Sequence, residues 1–148
     1  MIYIGSDHAG FKLKEKVKKY LDRQKIKYQD LGTYTEESVD ASDYAVQVCK
    51  KVGNAHARSV QNNIGILICG SGIMMSMAAN RIKGIRAALC WTPAIARQAR
   101  EHNNANILVL SGRESSPKNW QKIVDIFLQT KFSQKQKYSR RIKKLDKI

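Results

Sequence analysis

Cys69 closes the apolar run Ile66-Leu67-Ile68 and opens onto Gly70-Ser71-Gly72, after which "IMMSMAANRI" reads as a helix. Glycines can turn several N–H groups toward one point, and a helix N-terminus adds positive potential, so this turn is a possible cradle for an anion. A helix N-terminus also lowers the pKa of a thiol that meets it. A thiolate there could act as a nucleophile or as a proton-abstracting base. The same residues fit a plain strand-to-helix turn with an incidental cysteine, and spacing alone leaves both readings open. The dinucleotide pattern G-x-G-x-x-G fails, because Met75 stands where the third glycine belongs. No G-x-x-x-x-G-K-[ST] run supports a nucleoside triphosphate.

Other polar residues sit where apolar runs end. Ser6, Asp7 and His8 follow the first run, and Ser111, Gly112 and Arg113 follow the last. His102 and Asn103 end a helical segment. Each has a structural alternative. Asp7 fits a helix cap, and His102 fits a helix C-terminus favoured by the dipole. Lys135, Lys137, Arg140 and Arg141 fit a solvated basic face. A phosphate held against an anion nest would also need such cations. Cys49 lies within a helical segment and Cys90 at a strand end, so both read as small buried hydrophobes.

Five apolar segments alternate with helical ones. "MIYIGS", "IKYQDLG", "IGILIC", "IRAALC" and "NILVLS" read as strands, the third nearly continuous in apolar residues. "GFKLKEKVKKYLDRQ" carries Leu13, Val17, Tyr20 and Leu21 at helical spacing. "SDYAVQVCKKV" reads as a helix capped by Ser42, and "TPAIARQAREHNN" as one with Pro93 in its first turn. "SPKNWQKIVDIFLQT" follows, with Ser116 as cap and Pro117 at N1. The expected fold is therefore α/β with an open five-stranded parallel sheet, its ligands bound beyond the C-terminal strand ends. The polar loop "GNAHARSVQNN" precedes the third strand. The basic tail from about residue 131 to 148 reads either as a helix crossing to a neighbour or as a disordered arm.

The 148 residues suggest a single domain, and 43% hydrophobic residues suffice for a core. Three cysteines at wide spacing make no disulfide framework, and three scattered histidines predict no metal site. No apolar run approaches a membrane span, and no signal peptide is evident, so a cytoplasmic location is expected. The net charge of +15, from 27 Lys and Arg against 12 Asp and Glu, favours anionic partners without choosing among nucleic acid, acidic membrane and phosphorylated small molecules.

"SDHAGFKLK", "ILICGSG" with "AANRIKGIRAALC", and "REHNNANILVL" together resemble the ribose-5-phosphate isomerase B family, which also holds the galactose-6-phosphate isomerase subunits. The likeness runs from Ile2 to about Ile142. It implies a Rossmann-like three-layer α/β/α fold and a homodimer or dimer of dimers, with active sites shared across the interface. It also implies aldose–ketose isomerisation of a phosphorylated sugar through an enediolate, with no metal or other cofactor. By this resemblance Cys69 matches the base, and Ser71 a hydroxyl acting at the same oxygen. Asp7 and His102 match residues linked to ring opening. His8 matches a phosphate-side residue and Asn103 one touching the sugar. Arg113 matches a basic position near the site, and Lys137 and Arg141 fall where the family has two phosphate-binding arginines. The amides from Gly70 through Gly72 and Ile73 to Met74 would face the oxyanion.

The chain departs from the family at several points. Met74 replaces the last glycine of G-[ST]-G-x-G. It is costly there if that position needs a positive φ, and harmless but space-filling if the position is helical. Asp40-Ala41-Ser42 replaces Asp-Tyr-Pro, Lys137 an arginine and Tyr138 a histidine. Two other readings stand beside ribose 5-phosphate isomerisation. One is isomerisation of another sugar phosphate, such as galactose or allose 6-phosphate. The other, less favoured, is a non-catalytic α/β module that binds nucleic acid through its tail, for which Cys69 aligned with Asp7, Ser71 and His102 would have no use.

Overall fold

The structure, a computed structural model, describes residues 1–53, 63–113 and 118–148. Its strands are β1 (Ile2–Ser6), β2 (Tyr28–Asp30), β3 (Ile64–Cys69), β4 (Ala87–Leu89) and β5 (Ile107–Ser111). They form one parallel sheet in the order β2-β1-β3-β5-β4. The helices are α1 (Phe11–Arg23), α2 (Ala41–Gly53), α3 (Ile73–Ala79), α4 (Pro93–Glu101), α5 (Trp120–Gln129) and α6 (Gln136–Leu145). The five expected strands and their parallel pairing are present.

Strand alternation divides the core between two faces. Ile4, Ile66, Ile68, Leu108 and Leu110 pack under α1, α4 and α5 through Val17, Leu21, Ala96, Ile123 and Phe127. Leu67, Cys69, Ile107 and Val109 pack under α2 and α3 through Val48, Cys49, Met75 and Ala79. Both faces of β3 and β5 are thus covered. This explains why their sequences are continuously apolar rather than alternating.

Several element ends differ from the sequence reading, for local reasons. α2 begins at Ala41, so Ser42 lies in its first turn rather than at its cap. α3 stops at Ala79 because Asn80 turns its carboxamide to the edge strand. Its Nδ2 donates to the Ala87 carbonyl and its Oδ1 accepts from the Ala87 N–H, both at 2.9 Å. α4 starts as expected, with Pro93 at N1 and the Thr92 hydroxyl accepting from the Ile95 N–H at 3.2 Å. α5 begins at Trp120. The Ser116 cap, the Pro117 position and the loop before β3 lie outside the described residues. The tail holds a helix, α6, none of whose residues is buried.

Beneath the β2 end lies a cluster of charges. Lys14, fully buried, reaches Asp30 at 2.6 Å and Glu15 at 3.1 Å. Lys18 reaches the same two carboxylates at 2.7 and 2.8 Å. Burial alone would raise the Asp30 carboxyl, but hydrogen bonds from Lys14, Lys18 and the Gly32 N–H outweigh it and hold the group below its ordinary value. A depressed carboxyl contributes stability above its unfolded pKa and loses it as pH falls through the folded one. Two results follow. Asp30→Asn should cost roughly 3 kcal/mol at pH 7, because a buried ammonium loses its nearest partner. Urea melts from about pH 5 down to pH 2 should also show wild type losing stability more steeply than the variant.

Candidate active site

The strand order reverses beside β1. The chain leaves β1 for β2 on one side and returns to β3 on the other. In open parallel sheets such a switch point leaves a crevice beyond the strand ends, because the connecting helices diverge to opposite faces. Asp7 leaves β1 at this crevice, and Cys69 ends β3 there, paired in register with Ser111 of β5.

Cys69 is 3% exposed, and its Sγ accepts a hydrogen bond from the Gly72 N–H at 3.1 Å. Gly72 supplies that amide from the left-handed region, at φ +82°, where a side chain is strained. The Ser71 hydroxyl accepts from the Ile73 N–H at 3.2 Å. With α3 starting at Ile73, the N–H groups of its first turn lack intrahelical partners. Met74 lies inside that turn, so its φ carries no penalty and only its side chain, 56% exposed, distinguishes it from glycine.

The β5 end braces this cradle. Ser111 Oγ donates to the Gly70 carbonyl at 2.7 Å, the Gly112 N–H to the Cys69 carbonyl at 2.8 Å, and the Arg113 N–H to the Gly70 carbonyl at 3.1 Å. Gly70 faces the stem of the Arg113 side chain, which is otherwise exposed. Sequence reasoning placed Ser111 at the right edge but gave it no task. A bond to a residue 41 positions away leaves no local signal.

On the other side of the crevice, Asp7 Oδ1 accepts from the Gly10 N–H at 2.8 Å. It braces the turn before α1, while the cap position itself falls on Gly10. A Cβ at Gly10 would collide with the Ile68 carbonyl, so glycine lets this turn close onto the β3 end. His8 Nδ1 accepts from the Val39 N–H at 3.2 Å, leaving Nε2 as the nitrogen able to donate. Burial pushes the Cys49 and Cys90 thiols up to about 12, which keeps both protonated at neutral pH. Among the described residues no group of three His, Cys, Asp or Glu side chains gathers as a metal site would require.

His102 and Asn103 are not in this crevice. α4 starts beyond the C-terminal end of β4 and runs back, so its last residues lie at the opposite edge of the sheet. The Asn106 N–H donates to the Arg86 carbonyl just before β4, and the Gly65 N–H to the Asn106 carbonyl, fixing that edge. The five residues of β5 separate the two edges by roughly 16 Å. α6 joins His102 there. The Tyr138 ring stacks on the imidazole, with centroids 4.5 Å apart and planes 18° from parallel. Lys137 Nζ and Arg141 Cζ lie 4.9 and 6.0 Å from the same Tyr138 ring. Arg100, half-buried beneath, donates to the Thr130 carbonyl, and the Ser133 N–H donates to the Glu101 carbonyl, so the start of the tail is tied to α4. The expected site residues therefore form two groups, one at each end of the sheet.

Residues 2–145 match the family model described as Ribose/Galactose Isomerase. A probable ribose-5-phosphate isomerase B of Mycoplasma pneumoniae is 43% identical over 145 residues, covering 97% of this chain and 91% of that protein. A putative sugar phosphate isomerase of Rickettsia bellii is 45% identical over 131 residues, covering 88% of each. The crystal structure of a ribose 5-phosphate isomerase from Thermotoga maritima superposes with a TM-score of 0.90 at 52% identity, covering 99% of this chain and 97% of that one. The same order of motifs along the chain, the same sheet and nearly full-length coverage place this protein in the ribose/galactose isomerase family.

Proposed function

We propose that the protein interconverts ribose 5-phosphate and ribulose 5-phosphate, with Cys69 as the base. The observation that carries this reading is the Cys69 sulfur at the switch point, directly against the cradle of amides that opens α3. An enediolate needs a base at C2 and donors at the neighbouring oxygen, and these two parts adjoin here. The open-chain aldose lies with its carbonyl oxygen toward the amides between Gly70 and Met74 and the Ser71 hydroxyl. The Cys69 thiolate takes the C2 proton and the C1 oxygen gathers charge; the C2 hydroxyl proton passes to the C1 oxygen, and the thiol returns its proton at C1. Amide donors so placed contribute roughly 3 kcal/mol each to the transition state.

Ring opening precedes this step. The C1–O4 bond breaks, a proton leaves the O1 hydroxyl, and another arrives at O4. Asp7 and His102 take these two roles, and Asn103 touches the sugar. His8, Arg113, Lys137 and Arg141 hold the phosphate, whose binding energy positions the reacting end. Because His102 and Cys69 lie at opposite edges of one chain, a complete site takes its second half from another copy. A homodimer, alone or paired into a dimer of dimers, supplies that half. Ile73, Met77 and Trp91 support such a contact, being 55%, 62% and 58% exposed near the cradle edge. Large apolar side chains left open together mark surfaces that a partner covers. The whole chain then serves as one isomerase domain with its basic tail completing the neighbour's site. No helix among the described residues is long and apolar enough to cross a membrane, and the reading includes a cytoplasmic enzyme.

The relatives named for ribose 5-phosphate favour the pentose reading, and Met74, whose exposed side chain departs from the family pattern at the cradle, is where a shift to a six-carbon sugar would enter. Initial rates on ribose 5-phosphate, galactose 6-phosphate and allose 6-phosphate test this. The expected result is a kcat/KM for the pentose at least tenfold above either hexose, the discrimination one small group in a pocket can supply. A hexose preference would shift the assignment to the six-carbon substrates.

A further inference from the structure

Tyr138 is tied to His102 by geometry that the ring-opening role does not itself require. The two rings stack at 4.5 Å and 18°. Among the described residues the imidazole makes no hydrogen bond. Its Nε2 lies 3.9 Å from Glu101 Oε1, too far for a hydrogen bond, and the ring follows the last residue of α4, where a helix frays. Tyr138 in turn is held in place by α6, whose cations Lys137 and Arg141 lie against its ring. The aromatic surface thus fixes the plane of the imidazole, while Lys137 and Arg141 stand on the same turn of helix.

We propose that Tyr138 is a positioning residue for ring opening. Its ring holds the His102 imidazole in the plane from which the proton reaches the ring oxygen O4, as the C1–O4 bond breaks and the O1 proton departs. This rests on the isomerase reading given above. The phosphate-binding side chains and the ring-opening histidine are thereby registered to each other through a single ring. A proton donor misplaced by about an ångström costs up to about a hundredfold in rate, and the stack on Tyr138 resists such a shift of the imidazole plane.

Tyr138→Phe keeps the stack, and Tyr138→Leu keeps bulk without it. Two substrates separate the steps: ribose 5-phosphate, which is cyclic, and 4-deoxyribose 5-phosphate, which has no hydroxyl able to close a ring. The expected kcat for ribose 5-phosphate falls about tenfold to a hundredfold in Tyr138→Leu and stays within about twofold of wild type in Tyr138→Phe. The rate on the open-chain sugar is unchanged in both. Equal loss on the two sugars, a rise in KM without a fall in kcat, or no loss at all overturns the proposal. The imidazole proton resonances report the stack independently of turnover. The His102 signals, identified by their absence in His102→Ala, should move in Tyr138→Leu and not in Tyr138→Phe. If they are unmoved in both, the stack is absent and the proposal fails. A wild type inert on both sugars overturns the isomerase reading, whereas an active wild type with an unaffected Tyr138→Leu overturns only the role of Tyr138.

Discussion

Cys69→Ala should lower kcat for ribose 5-phosphate by about 10²–10⁴-fold, the range typical of a removed general base, with little change in KM. The variant should fold. Cys69 is buried at the tip of β3, and alanine fits the same backbone with the loss of one small side chain. Its sulfur accepts one N–H, from Gly72, so the variant also gives up that buried hydrogen bond. The comparison is informative because the protein carries two internal controls. Cys49 and Cys90 are buried in the packed core, and their thiols are pushed up to about 12 by burial. Cys49→Ala and Cys90→Ala should therefore leave kcat within about twofold of wild type while lowering Tm by a few degrees, as the loss of a small buried group does. Full activity in Cys69→Ala would remove the proposed base and leave the family assignment standing. Activity lost equally in all three variants would indicate a folding defect instead.

Much of this site was legible in the sequence because its parts are local. Cys69, Gly70, Ser71 and Gly72 adjoin in the chain, and the alternation of strands and helices placed Asp7 and Ser111 on the same edge. Whether Met74 is strained was undecidable from residue types. The answer depended on one backbone position, with Gly72 rather than residue 74 taking the left-handed turn. Three other features carried no local signal. The Val39 amide on His8 spans 31 positions, and the Asn80 carboxamide that ends α3 was readable only once Ala87 was known to be an edge residue. The stack of Tyr138 on His102 joins a helix end to a tail whose structure the composition left open. Basic composition misleads in a particular way. It registers eight cations after residue 130, but not that Lys137 and Arg141 flank the ring against His102. The Ser42 cap missed by two residues: with α2 starting at Ala41 the cap position falls on Asp40, and Asp and Ser are both good capping types.

Mixing two inactive variants should restore activity. In one chain the Cys69 sulfur and the His102 imidazole lie at opposite edges of the sheet, about one strand length apart, farther than any sugar phosphate can bridge. If a site draws Cys69 from one subunit and His102 from the other, a hybrid of Cys69→Ala with His102→Ala holds one site lacking both groups and one site lacking neither. Random reassortment after mild denaturation makes half the dimers hybrid, so the mixture should recover about a quarter of wild-type activity from variants that are each nearly inert. The same fraction holds for a dimer of dimers, because the sites are counted per interface. Were each site built within one chain, every site in the mixture would lack one group and no activity would return. His102→Ala that is nearly as active as wild type alone would instead remove that residue from ring opening. The recovered fraction thus reads the geometry directly. It reports whether the second edge of the sheet, with His102, Asn103 and the cations of α6, closes over the cradle of a neighbouring copy.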